Sequence, residues 1–277
     1  MKGKLIIIGG AVDKGAERGE QQEEFSKYGI LRRILDESAK GNDSRVEIIT
    51  TASTIPDEMG KGYVKAFTRL GATNVGVAKI QTREDVVDNA FIERIKAADV
   101  AFFTGGDQIR LTSLLGGSEI LKLIKHKLQK ENFIYAGTSA GAAAASDSMV
   151  FQGILRNALK KGEIRVAQGF GLVDDIVIDT HFMKRGRIGR LCQIVVTNPG
   201  LLGVGLEENT GLLIKGRNME AIGFGSIILI DGHTIKDSNL LEVGAGDTLS
   251  IDGMTLHTMS TRDMFDLETR RLKIRKP

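Results

Sequence analysis

The chain has 277 residues, 42% of them hydrophobic and 26% charged, ordinary globular usage that excludes a disordered, collagen-like or coiled-coil protein. Lys and Arg number 38 against 35 Asp and Glu, a net +3 with the signs interspersed except in the tail from Arg270 to Lys276, which argues against a nucleic-acid binder. The single cysteine, Cys192, excludes an intramolecular disulfide and a four-cysteine zinc site and suits a cytoplasmic setting, and no run reaches the ~18 apolar residues of a membrane span.

The continuous apolar run from Leu5 to Ile8 predicts a strand buried on both faces. A helix follows, with Phe25, Tyr28, Leu31 and Leu35 on one face and Gly41 placed to end it. Val46 to Thr50 predicts the next strand. Pro56 opens a helix that turns Met59, Tyr63, Phe67 and Leu70 inward and stops at Gly71. Asn74 to Ile80 reads as a third strand. Thr82 and Asp85 have capping-box spacing ahead of Val86, Ala90, Ile92 and Ile95, and Val100 to Phe103 is again strand. Helical periodicity then runs from Leu111 to Lys130, and Phe133 to Ala136 is a further buried strand. The pattern weakens from Asp147 to Gly171, where loops or a hairpin are expected. Asp175 to Asp179 restores a strand, and Ile188 to Thr197 is a helix stopped by Pro199. Beyond Leu201, strands separated by Gly-rich turns predict a meander that extends the sheet or caps it. The alternation predicts an α/β fold, a mostly parallel sheet flanked by helices with a β-rich C-terminal extension. No repeat, low-complexity linker or compositional break interrupts residues 1–277, so one domain is expected.

The sharpest chemical signal is Gly137-Thr138-Ser139-Ala140-Gly141, a G-x-S-x-G between a predicted strand and an Ala-rich helix. A nucleophile on such an elbow occupies a strained backbone conformation, and flanking glycines remove the Cβ atoms that would collide. The Ala140 N–H then faces the developing oxyanion, and the strand-end turn Thr104-Gly105-Gly106-Asp107-Gln108 offers a second donor, Gly106. A serine needs a base. His126, His233 and His257 lie in polar surroundings and read as solvated, whereas His181 follows a strand at the edge where α/β sheets place ligands. Glu207 and Glu208 follow the run from Leu202 to Leu206 and supply an orienting acid, with a solvated turn as the alternative. The order Ser, His, acid differs from that of the α/β-hydrolases. Arg185, Arg187 and Arg190, with Lys184 beside them, suggest recognition of carboxylates, for which the guanidinium fork is suited. Ile8-Gly9-Gly10-Ala11-Val12-Asp13-Lys14-Gly15 follows a strand but fits neither nucleotide-loop spacing, and its glycines read better as the wall of a pocket.

Together, Thr104 to Gln108, Gly137 to Ala142, Asp179-Thr180-His181-Phe182 and the three arginines resemble cyanophycinases, over most of the chain and including Ile8-Gly9-Gly10. The resemblance implies a serine-type exopeptidase related to aspartyl dipeptidase, on a fold akin to class I glutamine amidotransferases. Such enzymes degrade cyanophycin, a poly-aspartate with arginine on each side-chain carboxylate, to β-Asp-Arg dipeptides. Carried over by motif, it implies Ser139 as nucleophile, His181 as base and Glu208 as third member, with Gln108, Asp179, Thr180, Arg185, Arg187 and Arg190 in the substrate pocket. The family pattern has Gln where this chain has Thr180. No metal or organic cofactor is implied, the partner is the peptide substrate rather than nucleic acid or membrane, and a homodimer stays open. A hydrolase of other aspartyl or isoaspartyl peptides, or a catalytically silent binding protein on the same fold, are the alternatives.

Overall fold

A computed structural model describes residues 1–15, 25, 27, 29–153 and 159–276; Tyr28, expected on the first helix face, lies outside the described residues. Strands β1 (Lys4–Ile8), β2 (Arg45–Ile49), β3 (Asn74–Ala78), β4 (Val100–Phe103) and β5 (Ile134–Thr138) run parallel in the order β1-β5-β4-β2-β3. Their alternate residues feed two cores, because successive side chains point to opposite faces. Ile6 and Ile8 pack with helices α1 (Ile30–Glu37) and α2 (Pro56–Arg69). Leu5 and Ile7 share the other core with α3 (Asn89–Ala97), α4 (Gln108–Leu115), α5 (Glu119–Lys130) and the four-residue α6 (Ala140–Ala143).

Local chemistry sets several element ends differently from the sequence pattern. α1 stops before Gly41, where the Ser38 hydroxyl donates to Leu35 O (2.6 Å). The Thr82–Asp85 box closes reciprocally, through Thr82 N–H to Asp85 Oδ2 (2.9 Å) and Asp85 N–H to Thr82 Oγ1 (3.2 Å). It caps only the 3₁₀ turn Asp85–Val87, and α3 begins afresh with Asp88 accepting from the Ala90 N–H (2.8 Å). The helical stretch around residues 108–130 is two helices, parted at Gly116 and Gly117. The weak stretch before Gly171 holds a hairpin of β6 (Ser148–Gln152) and β7 (Arg165–Gln168).

The β-rich C-terminal part both extends the first sheet and builds a second one. β8 (Ile176–Thr180), helix α7 (Ile188–Thr197), β9 (Leu202–Leu206), β10 (Thr210–Lys215), β11 (Asn218–Gly223) and β12 (Ile227–Asp231) follow in chain order. The short β13 (Asp237–Ser238) and β14 (Ile251–Asp252) pair with each other, and β15 (Thr255–Met259), β16 (Met264–Asp266) and β17 (Arg271–Lys273) complete the set. β10, β11, β16 and β17 add to β1 antiparallel, so among the described residues the central sheet has nine strands, while β15-β12-β9-β8 form a separate four-stranded sheet. The charged tail is thus the edge strand β17, and lysine and arginine at an edge discourage pairing with other chains. One face of the second sheet joins the core of α3 to α6; the other buries Leu191, Ile194 and Val195 of α7 against Val177 and Ile230. Among the described residues no helix is long and apolar enough to cross a membrane.

Candidate active site

Strand ends from both sheets meet at one edge. β1, β4 and β5 deliver Ile8, Phe103 and Thr138 there, and the ends are joined by the Ser139 N–H to Ile8 O (2.9 Å), the His181 N–H to Gly9 O (2.9 Å) and the Phe182 N–H to Leu206 O (3.1 Å). Ser139 turns from β5 into α6 at φ 51, ψ −104, a conformation that a residue with a Cβ adopts only when its surroundings enforce it. A Cβ at Gly137 would strike Gly141 O, and one at Gly141 would lie 2.7 Å from Phe103 Cβ, so both flanks of the elbow are closed to any side chain.

His181 follows β8 with φ 51 and lays its imidazole over Gly10, where φ is +108 and a Cβ would overlap the ring. Its Nε2 lies 3.1 Å from Ser139 Oγ and its Nδ1 2.7 Å from Glu208 Oε1. Lys184 Nζ donates to Glu208 Oε1 (3.0 Å) and Oε2 (2.8 Å). The Lys184 ammonium, and after it the His181 ring, hold the Glu208 carboxyl below its usual range. An ionised carboxylate accepts a hydrogen bond from Nδ1–H, which keeps the proton on that nitrogen and leaves Nε2 as an acceptor facing the serine hydroxyl. Glu207 points elsewhere and accepts the Ser226 N–H (2.9 Å).

The Gly105–Gly106 turn closes the other side: a Cβ at Gly105 would lie 3.3 Å from Ser139 Cβ, and Gly106 is exposed with φ +144. Ala140 opens α6. Neither the Gly106 nor the Ala140 N–H enters a backbone hydrogen bond among the described residues.

The six residues read as a substrate pocket are not equivalent. Asp179 is buried and accepts from Arg190 Nε (2.5 Å), Arg190 Nη2, Arg187 Nη1 (3.0 Å) and the Thr180 N–H (2.9 Å). Arg187 Nη1 also donates to Thr180 O (2.6 Å), and Thr180 and Arg190 are themselves buried. Burial, against the attraction of Asp179 and helped by repulsion from Arg190 and Arg185, lowers the Arg187 guanidinium from its usual value. Arg185 is exposed on the turn ahead of α7. Gln108 opens α4 with its amide nitrogen on Val150 O (3.1 Å). Among the other histidines, His126 is exposed and His233 pairs with Asp231 (3.1 Å). His257, read as solvated, lies on β15 with its ring against Phe265. The Gly10 shelf and the Lys184 bond to Glu208 were not read from the sequence; the Gly pair after β1 and the lysine three residues past His181 are the signals that mark them.

A serine in contact with a histidine, itself held by a carboxylate, on a strained strand-to-helix turn beside the Gly106 and Ala140 N–H groups, is the arrangement of a serine-type hydrolase. Residues 17–222 match the model of peptidase family S51. The chain is 30% identical over 273 residues to a cyanophycinase of Synechococcus elongatus, covering 98% of this chain and 81% of that one. It is 29% identical over 270 residues to a cyanophycinase of Geminocystis herdmanii, covering 97% and 95%. The fold also matches the crystal structure of a peptidase from an acI-B1 Actinobacterium, with a TM-score of 0.68 over 95% of this chain and 96% of that one at 18% identity. The chain belongs to peptidase family S51, and it is a serine-type peptidase.

Proposed function

We propose that the chain hydrolyses cyanophycin to β-Asp-Arg dipeptides through an acyl-enzyme on Ser139. The observation that carries the chemistry is the continuous path from Ser139 Oγ through His181 to Glu208, at 3.1 and 2.7 Å, on the strained elbow. The cyanophycinases that align over nearly the whole chain support the substrate. Ser139 Oγ attacks the scissile carbonyl while His181 Nε2 takes its proton, and the N–H groups of Gly106 and Ala140 receive the charge that develops on oxygen. Nε2 then passes the proton to the departing amine. Water, deprotonated by the same nitrogen, releases the acyl group and restores the serine. Arg185 is the exposed fork for a substrate carboxylate, and Gln108, its NH₂ held by Val150, contributes its amide oxygen as an acceptor. Arg187 and Arg190 act through Asp179 to fix the turn that carries His181. The single cysteine is in keeping with a cytoplasmic enzyme.

The short, buried Thr180 favours a second reading, a hydrolase of other aspartyl or isoaspartyl peptides. A panel of the polymer, β-Asp-Arg oligomers and isoaspartyl dipeptides without arginine separates the two. Cleavage of the arginyl substrates alone supports the first, and cleavage confined to the plain dipeptides supports the second.

The different engagements of the two glutamates set a further expectation. Glu208→Gln should lower kcat/KM by about 10²-fold or more, because a neutral amide no longer stabilises the imidazolium or fixes its tautomer. Glu207→Gln keeps an acceptor for the Ser226 N–H and should stay within about threefold of wild type. Equal, mild losses at both positions would place the acid elsewhere. The same geometry fixes the sign of the pH dependence. A lowered carboxyl stays ionised as pH falls, so the acid limb of kcat/KM should reflect one protonation, that of Nε2, which can then no longer receive the serine proton. A kcat/KM that does not fall as pH is lowered contradicts a histidine base.

A further inference from the structure

The cations that follow His181 mostly have carboxylate partners: Lys184 on Glu208, Arg187 and Arg190 on Asp179. Lys14 does not. It lies on the loop after β1, in the same turn as the Gly10 shelf beneath His181. That loop is tied to the residue after Glu208, since the Asn209 N–H donates to Gly10 O (2.9 Å) and the Asp13 N–H to Asn209 Oδ1 (3.2 Å). The Gly15 N–H donates to Asp13 Oδ1 (2.8 Å) and Arg69 Nη1 to Gly15 O (2.6 Å), which holds the loop down on α2.

The side chain is half-buried, with Nζ 4.3 Å from the centre of the Tyr63 ring and 4.0 Å from Met59 Sδ. The Tyr63 hydroxyl in turn approaches the side chain of Thr138, the residue before Ser139. A ring face attracts an ammonium but does not neutralise it, and among the described residues no carboxylate forms an ion pair with Lys14. Burial accordingly lowers the Lys14 ammonium from its usual value. A half-buried cation with no carboxylate partner among the described residues, on the loop that carries the Gly10 shelf beneath His181, is a preformed receptor for an anion, because an arriving carboxylate recovers the interaction that burial removed.

We propose that Lys14 is a specificity-determining residue whose ammonium receives a carboxylate of the acidic peptide bound across Ser139. The inference rests on the peptidase reading above and adds the group that selects for free carboxylates. Two sources carry that chemistry in a β-Asp-Arg oligomer: the terminal main-chain carboxylate and the carboxylates of the arginyl units. Three substrates distinguish them: the free oligomer, the oligomer with a terminal carboxamide, and the oligomer built with argininamide. Wild type should prefer the free oligomer to one of the two amides by about 30-fold, mainly in KM, the effect of one desolvated charge pair. Lys14→Met should abolish that preference by raising KM on the free oligomer, and Lys14→Arg should restore part of it. An equal loss on all three substrates would make Lys14 a support for the loop and overturn the inference, and so would an unchanged preference. Failure of wild type to cleave any of the three would overturn the substrate reading and this inference with it, whereas cleavage by wild type with an unselective Lys14→Met effect removes the inference alone.

Discussion

Ser139→Ala should lower kcat/KM on the polymer by about 10⁴-fold or more while leaving the thermal midpoint close to wild type. The variant removes only Oγ, whose contact is the 3.1 Å approach to His181 Nε2. It keeps the Cβ, the backbone bond to Ile8 O and the closed flanks at Gly137 and Gly141. The residual rate reflects what the Gly106 and Ala140 N–H groups and substrate binding supply by themselves. Turnover within about tenfold of wild type would remove Ser139 from the chemistry.

The second large effect is on stability. Asp179→Ala should cost about 3 to 5 kcal/mol, because it leaves the Arg190 guanidinium buried without its counter-charge. For a chain of this size that corresponds to a fall in midpoint of roughly 10 °C, read by calorimetry or circular dichroism. Arg190→Ala should destabilise in the same direction, leaving Asp179 buried with only Arg187 and the Thr180 N–H. Arg185→Ala, on the exposed turn, should leave the midpoint unchanged and raise KM. An Asp179→Ala midpoint within about 2 °C of wild type would mean that water or a neighbouring group replaces the carboxylate, and that the cluster does not fix the turn.

The elbow is legible in the sequence because its chemistry is local: glycines two residues either side of a serine, an apolar run before it and alanines after it. The strand ending at Asp179 is legible for the same reason, but its sheet is not. A buried run such as Ile176–Thr180 reads identically whether it joins the central sheet or a second one, and the choice is made by its parallel pairing with Leu202–Leu206. The arginine cluster shows the same limit for side chains. Spacing places Arg187 and Arg190 near each other, but that both close on Asp179 depends on a strand and a helix start meeting in space. Gly10 reads as part of a pocket wall, and only the fold reveals that its missing Cβ makes room for the His181 ring.

The most direct test is to incubate purified, insoluble cyanophycin with wild type and Ser139→Ala side by side and to identify the soluble products by mass spectrometry. β-Asp-Arg dipeptides should accumulate with wild type alone. Polymer left intact by wild type, while a serine-reactive fluorophosphonate still labels Ser139, would contradict the substrate; dipeptides released equally by both proteins would contradict the nucleophile.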